Sequence, residues 1–502
     1  MPRSTKPSFV LELPLKVDSK QDSELQARFN AAMRLYNNVL GEAKTRMELV
    51  KNSEAYQAAR KIPRDKKKER SEAFSKAREA YRFTDYDLQA YANRAAKDSK
   101  WIAEKIDSNT QQKLATRAFK AVERVLFGKA KDVRFKVDSR FRSIEGKTNK
   151  QGIRWKSNHV VWSGLELLAI IDFNNEVIKH GLSCPVKYCR IIRRTFGGKR
   201  RWFVQLVLEG FPFQKLENYI SNGVIGLDLN ISNIAYVADN HAGLLPFADK
   251  VPTYQKEITA LQRQMQRSQR GLNPDNFEPD FKARRGRKTV TKKGKVKKGK
   301  RQWKKSNNYR KAARKKRELE RRKAAYAKSQ NRRVVNEILR HGNNIKTENV
   351  SVKGWQKRYG KAISAKSPGF VQSELKRKAE SANGSFTKFS TQKTALSQTH
   401  LDGSRIKKSL SERVHRDVTG IPEHHRDLFS AFLSRHVNQD KLSLQDALNE
   451  YPRAESLLLE AWQRSINRKQ VGASESRKAD SPLERFSYDG ETSNQIAIRA
   501  KS

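Results

Sequence analysis

The sequence predicts a multidomain α/β protein, and three observations carry that class. Apolar residues recur at three- and four-residue steps between positions 19 and 127. From Val133 the period changes to two, and the stretch Val224-Ile225-Gly226-Leu227-Asp228-Leu229-Asn230 reads as an apolar strand ending in an acid. With 502 residues, 36% of them hydrophobic and including 22 Phe, 14 Tyr and 7 Trp, the chain has material for two to four domains and more than one core.

Phe9-Val10-Leu11-Glu12-Leu13 opens as an apolar strand that Pro14 and the polar run to Asp22 would end. Ser23 is placed to cap a helix whose Leu25, Phe29, Ala32, Tyr36, Val39 and Ala43 draw one buried stripe. Leu88, Tyr91, Ala92 and Ala95, then Ala115, Phe119, Val122 and Leu126, extend the helical pattern to about 127. Val133, Phe135 and Val137 alternate, and Val160-Val161-Trp162 and the run from Leu165 to Ile171 read as strands. Gly197-Gly198 is a tight turn between two β-prone arms, 189–196 and 201–208. Arginines interleave those arms, either to grip phosphates or to blunt an exposed sheet edge.

Two further short strands, Ile234 to Val237 and Leu244 to Phe247, complete a meander with Asp228's strand. Pro252 and Thr253 introduce a helix with Tyr254, Ile258, Leu261 and Met265 on one side, and a long helix spans roughly 309–340. Between Lys282 and Arg333, 26 of 52 residues are Lys or Arg, opposed only by Glu318 and Glu320. The glycines and lysines of 282–305 read as a flexible basic loop, a solvated linker or a clamp for a strand. Beyond Lys469 the composition predicts disorder, with local order at Ile496-Ala497-Ile498.

A net charge of +53, from 106 Lys plus Arg against 53 Asp plus Glu, demands a polyanion, and nucleic acid is the default. Residues 1–9 lack a secretory core, and no apolar run reaches bilayer-spanning length, so a cytoplasmic or nucleoid location and no membrane partner are expected. Cys184 and Cys189, five apart on an extended segment, would face opposite sides, which leaves two ordinary thiols.

Three acids stand out in this cationic chain: Asp228, Glu348 in Ile345-Lys346-Thr347-Glu348, and Asp427 in His425-Arg426-Asp427-Leu428-Phe429-Ser430-Ala431. Each alone could be a solvated or capping carboxylate. Together they suit Mg²⁺, a hard ion that takes oxygen ligands and in pairs assists phosphodiester hydrolysis. Brought within ~5 Å they would repel by roughly 3 kcal/mol per pair at an effective dielectric of about 20, so a metal or protonation must offset them. Asp427 and Ala431 would share a helix face, the small Ala allowing close approach to the sheet.

In this order the three segments resemble the split RuvC nuclease motifs of the TnpB-type transposon-encoded RNA-guided endonucleases and their relatives, the type V CRISPR effectors. The resemblance covers roughly 1–440. It implies a first strand (1–18) of a β-barrel wedge domain, a helical recognition lobe (19–127), the rest of the wedge (128–218) and a split RuvC-like, RNase H-like nuclease (219–390). A zinc-ribbon insert (391–420), a final nuclease helix (421–440) and a C-terminal extension (441–502) would follow. It also implies catalytic and metal-binding roles for Asp228, Glu348 and Asp427, two Mg²⁺ ions, a guide RNA and a DNA target beside a short motif. The ribbon departs from the pattern: its frame offers His400, Gly403, Asp417 and Gly420 where the family places cysteines, so zinc is not expected. His400, His415, His424 and His425 are the remaining candidates for an improvised cluster. A non-cleaving RNA-guided DNA-binding protein and an unguided RNase H-like nuclease or transposase are the alternative functions.

Overall fold

The structure is a computed structural model and describes residues 7–252, 254–286, 288–299, 302–409 and 411–479. The chain divides into two compact units, one formed by residues up to Lys215 with Gln255–Leu319, the other by Leu216–Tyr254 with residues from Glu320 onward.

In the first unit, strand β1 (Ser8–Lys16) runs through Pro14 rather than ending there. Proline is tolerated because the strand changes partner at that point. β1 pairs with β7 (Lys199–Glu209) as far as Pro14 and with β5 (Leu165–Ala169) at Leu15 and Lys16, and the Pro14 carbonyl accepts from Ile170. Helix α1 (Ser19–Asn52) starts earlier than Ser23 because Asp18 and Gln21 form a reciprocal capping box, worth about 1 kcal/mol. Its stripe from Leu25 to Ala43 is buried as the spacing predicts. Helices α2 (Glu54–Lys61), α3 (Lys67–Ala80), α4 (Asp85–Asp98), α5 (Trp101–Lys105) and α6 (Ser108–Leu126) follow.

β2 (Ser143–Glu145), β3 (Arg154–Lys156), β4 (His159–Trp162), β5, α7 (Glu176–Ser183), β6 (Val186–Phe196) and β7 then complete a seven-stranded antiparallel sheet in the order β2-β6-β7-β1-β5-β4-β3. The order is linear and its outer strands have three residues each, so the expected barrel is a half-barrel. Helices and sheet share one core that includes Phe29, Tyr36, Phe141 and Trp162. The segment of Val133, Phe135 and Val137 forms no strand. Phe135 and Val137 are exposed, and Asn37 pairs with both backbone groups of Lys136.

The glycine turn is as expected, with Gly197 and Gly198 both at positive φ between β6 and β7. The arginines of β6 are held in ion pairs. Arg190 pairs with Glu145, the buried Arg193 with Asp138, and Arg194 with Glu12, so they brace the sheet. Cys184 follows α7 rather than lying on the strand, and both cysteines are free thiols.

The second unit begins with β8 (Val224–Leu229), β9 (Asn233–Val237) and β10 (Ala242–Pro246), the predicted meander. The chain then contributes α8 (Gln255–Leu272), a two-stranded ribbon β11 (Phe281–Arg285) and β12 (Lys288–Lys292), and the start of α9 (Asn307–Leu339) to the first unit. The sequence predicts a flexible loop over 282–305; among the described residues, 282–285 and 288–292 instead pair as a ribbon, while those from 293 onward form no strand beyond the bridge at Val296. The rest of α9 returns to the second unit. There β13 (Asn344–Glu348), α10 (Val352–Lys366), α11 (Pro368–Ser381), β14 (Ser385–Phe389), α12 (Thr391–Thr394), β15 (Val414–His415), β16 (His424–His425) and α13 (Arg426–Arg435) follow. β17 (Val437–Asn438), β18 (Lys441–Leu442) and α14 (Leu444–Ala479) close the described chain.

The main sheet of this unit has the order β10-β9-β8-β13-β14, with β13 parallel to both its neighbours. One face packs Ile225, Leu227 and Ile345 against α9 and α11 through Val335, Ile338, Val371 and Leu375. The other packs Ala235, Val237 and Leu244 against α13 and α14 through Leu428, Phe432, Tyr451 and Leu458. The extension from 441 therefore contains, from Leu444, a helix that completes the core. Helix α14 continues to Ala479, so the disorder expected beyond Lys469 does not begin there, and the tail with Ile496-Ala497-Ile498 lies outside the described residues.

Candidate nuclease site

Strand parity places the first two acids. Ile225, Leu227 and Leu229 face the α9 and α11 layer, so Gly226 and Asp228 face α13. In the neighbouring parallel strand Ile345 shares the first face, which puts Lys346 and Glu348 on the second. The register pairs Lys346 with Gly226 and Thr347 with Leu227, so the next step along sets Glu348 beside Asp228 at the same strand ends.

The third acid comes from the helix above. α13 sits against β8 so closely that a Cβ on Gly226 would stand 2.0 Å from the Ala431 carbonyl oxygen. The Ser434 hydroxyl reaches the Leu227 carbonyl at 3.4 Å. Asp427, in the first turn, is buried, and its amide donates to Nδ1 of the capping His425. The small Ala431 does share this face, as its spacing predicts.

Electrostatics show that the three acids are neighbours. Burial, then the charges of Asp427 and Glu348, push the Asp228 carboxyl well above the usual carboxylate range. Burial also pushes Glu348 up to about 7, against one opposing hydrogen bond from the Leu396 backbone. Asp228 and Glu348 keep partial exposure, so the cluster is recessed rather than sealed. A polar cavity of about 410 Å³ adjoins the end of β13, lined by Asn349, Lys388, Ser390, Gln392 and Asp440 among others.

Sequence reasoning missed two cations here. Arg413 Nη1 lies 3.4 Å from Asp427 Oδ1, with 54% of its side chain exposed, and Arg426 Nε lies 3.8 Å from the same oxygen. The pairing of β15 with β16 brings Arg413 in, and its carbonyl accepts from the Arg426 amide at 2.8 Å. Arg426 is tied down by its bond to the Ser409 carbonyl, whereas Arg413 makes only long contacts of 3.4 and 3.5 Å to the carboxylate. The donor set fits a hard divalent cation: three oxygen-bearing acids, Asp228 held at elevated pKa by burial and its two acidic neighbours and Glu348 by burial, a cost that a cation would relieve.

The ribbon remnant is built differently. His400, His415 and Asp417 bring one ligating atom each within 4.8 Å of one another, a grouping that does not include the three acids above. The Lys408 ammonium, a donor only, contacts His415 Nδ1 at 2.7 Å, so His415 carries its proton on Nε2 and donates to Asp417 at 2.9 Å. His400 Nδ1 accepts from the Val418 amide. His424 instead meets the Tyr451 hydroxyl, and His425 caps α13, so the four histidines form no single cluster.

Three donors, with one imidazole nitrogen protonated and another already accepting a hydrogen bond, do not fit a structural zinc site. Asp417 takes the place of a metal as the hub, accepting also from the Leu401 and Thr419 amides and the Thr419 hydroxyl. Burial raises its pKa, but these bonds outweigh burial and hold it well below the usual range. Its contribution is therefore complete above the unfolded carboxyl pKa and is lost as pH falls through the acid range. Asp417→Ala is expected to cost about 2–4 kcal/mol, because several buried donors lose one acceptor. Urea denaturation without added Mg²⁺ checks this, and a zinc-selective chelator should leave the wild-type midpoint unmoved.

No family model and no curated protein matches the sequence. Among solved structures, the chain is similar to one described as the Cas12f1-sgRNA-target DNA complex by cryo-EM. The identity is 10%, 86% of this chain and 98% of that chain are covered, and the TM-score is 0.41. A second, a CRISPR-Cas12f ternary complex, shows 10% identity over 84% of this chain and 83% of that one, with a TM-score of 0.26.

Proposed function

We propose that the chain is an RNA-guided DNA endonuclease of RuvC type, akin to the TnpB-type and type V effectors that its motifs resemble. The observation that carries this reading is the convergence of Asp228, Glu348 and Asp427 on one sheet face, where burial raises both Asp228 and Glu348 and the neighbouring acids raise Asp228 further. Asp228 and Asp427 would share Mg²⁺, and Glu348 would complete the shell. The ions would activate water and stabilise the leaving oxygen of a phosphodiester. Arg413, exposed and loosely held, is placed to leave Asp427 and meet a phosphate. Guide pairing would choose the sequence, while the cationic protein holds the heteroduplex by shape and charge.

Because ligating carboxylates must be deprotonated, divalent-ion affinity should rise as pH passes through the Glu348 value of about 7. The test is to sequence the RNA that copurifies with the chain and to offer the complex a matched DNA duplex with Mg²⁺. A defined RNA and cleavage that needs its match support the reading. Tight matched binding without cleavage would make the chain a guided binding protein, and cleavage without a defined RNA would make it an unguided nuclease.

A further inference from the structure

The ribbon β11–β12 is mounted on a rigid joint. Asn273, buried at the end of α8, donates to the carbonyls of Gln269 and Lys304 at 2.8 and 3.0 Å and accepts from the Lys304 amide at 2.7 Å, clasping the chain where it leaves and where it returns. Above that clasp, the Glu278 amide bonds the Lys295 carbonyl, the Lys297 amide bonds the Asn276 carbonyl, and Phe277 bridges Val296. Phe277 packs edge-on against Trp303 at 5.7 Å and lies under the Arg270 guanidinium at 4.3 Å. Gly294 has no room for a side chain, since a Cβ would stand 1.7 Å from the Glu278 carbonyl oxygen. Asp280 accepts from the Gly294 amide and the Lys293 ammonium. Such fixing has no purpose in a mere linker.

Antiparallel register sorts the ribbon's side chains into two faces. Lys282 opposite Thr291 and Arg284 opposite Thr289 share one face, and all four are exposed. Ala283 opposite Val290, both partly buried, belong to the other. Residues 281–299 contain ten Lys or Arg and no Asp or Glu. The Lys282 face is thus polar and cationic, with two threonine hydroxyls and methyls opposite the two cations and no aromatic ring among its described residues.

We infer that this face is a docking surface for the major groove of B-form duplex DNA. A groove of about 12 Å admits a two-stranded ribbon, and Lys, Arg and Thr are the side chains that meet its base edges, thymine methyls and flanking phosphates. The deep, narrow major groove of an A-form RNA duplex does not admit it. A single-strand surface would use aromatic platforms, which this face lacks. The inference rests on duplex DNA being part of the target, as the proposed function holds, but not on cleavage or on a guide.

The test therefore uses the full chain freed of nucleic acid, in EDTA, with fluorescent duplexes of one sequence in DNA and in RNA. Lys282→Gln with Arg284→Gln, both exposed positions, should weaken DNA-duplex binding about 10- to 100-fold. The same variant should flatten the salt slope by roughly 2. RNA-duplex and single-strand binding should stay near wild type. DNA carrying glucosylated hydroxymethylcytosine, which fills the major groove, should bind the wild type as poorly as plain DNA binds the variant. Equal loss on both duplexes, loss confined to RNA or single strands, or indifference to the groove-filling sugar would each overturn the assignment. Failure of the guide experiment would leave this result untouched.

Discussion

Asp228→Asn is expected to abolish cleavage while making the metal-free chain more stable. A metal-binding carboxylate supports several kcal/mol of transition-state stabilisation, so the loss should reach about a thousandfold or more. The stability gain follows from the site's electrostatics. Burial and the charges of Asp427 and Glu348 disfavour an ionised Asp228, and an amide of the same shape escapes that cost. A merely structural acid, paired and hydrogen-bonded, would behave in the opposite way, losing stability on replacement.

The pH dependence has a definite sign. Groups whose folded pKa lies above the unfolded value bind more protons when folded, so their contribution is full below the unfolded pKa and is lost as pH rises through the folded one. With Glu348 at about 7 and Asp228 also raised, the metal-free wild type should lose stability between about pH 4.5 and 7. Asp228→Asn should flatten that slope. Mg²⁺ at about a hundred times its dissociation constant should add roughly 2.7 kcal/mol to the wild type, read as a rise in melting temperature, and much less to the variant. Thermal denaturation from pH 5 to 8 with and without Mg²⁺, beside a cleavage assay, checks the set. A variant that melts earlier than wild type in EDTA, or that gains as much from Mg²⁺, would remove Asp228 from the proposed site.

How far the sequence disclosed this site depends on the range of the interactions. Asp228 and Glu348 were legible because each ends an apolar strand, and period-two alternation decides which face an acid takes. Asp427 was legible because Ala431 lies one turn on, marking the face that meets the sheet. Arg413 was not, because it reaches Asp427 only through the pairing of Val414 with His425, a contact no local pattern encodes. The ribbon was hidden by composition: ten cationic residues in nineteen suggest a solvated loop, while the alternation of Lys282, Ala283 and Arg284 and the run Thr289-Val290-Thr291 carry the strand signal more quietly. Helix α14 had a clear stripe in Ala447, Tyr451, Ala454, Leu458 and Ala461, but Pro452 argues locally against a helix and packing against α13 overrides it. The half-barrel rather than a barrel follows from the shortness of β2 and β3, a matter of where loops begin and not of apolar pattern.

Gly226→Ala should be among the most damaging single substitutions in the second unit, although it adds one methyl group. The new Cβ would stand 2.0 Å from the Ala431 carbonyl oxygen and 2.8 Å from both the Arg435 amide nitrogen and its Cγ. These are mostly backbone atoms of a helix held from both sides, so no side-chain rotation relieves the clash. Arg435 is anchored to Asp239 and Glu450, and Leu428, Phe429 and Phe432 are fully buried in the core. Either α13 lifts off β8 or β8 distorts. Both outcomes open a core packed by large side chains, and a loss above about 3 kcal/mol is expected. Because Asp427 rides on α13, any surviving fold should also hold that acid away from Asp228, so cleavage should fall further than the folded fraction does. Gly271→Ala in α8, where a Cβ meets nothing within 4 Å, is the matched control and should be neutral or stabilising by up to about 1 kcal/mol. Urea denaturation of both variants separates the cases. A Gly226→Ala chain within about 1 kcal/mol of wild type would mean that α13 is not seated on β8 as described, and the convergence of the three acids would lose its support.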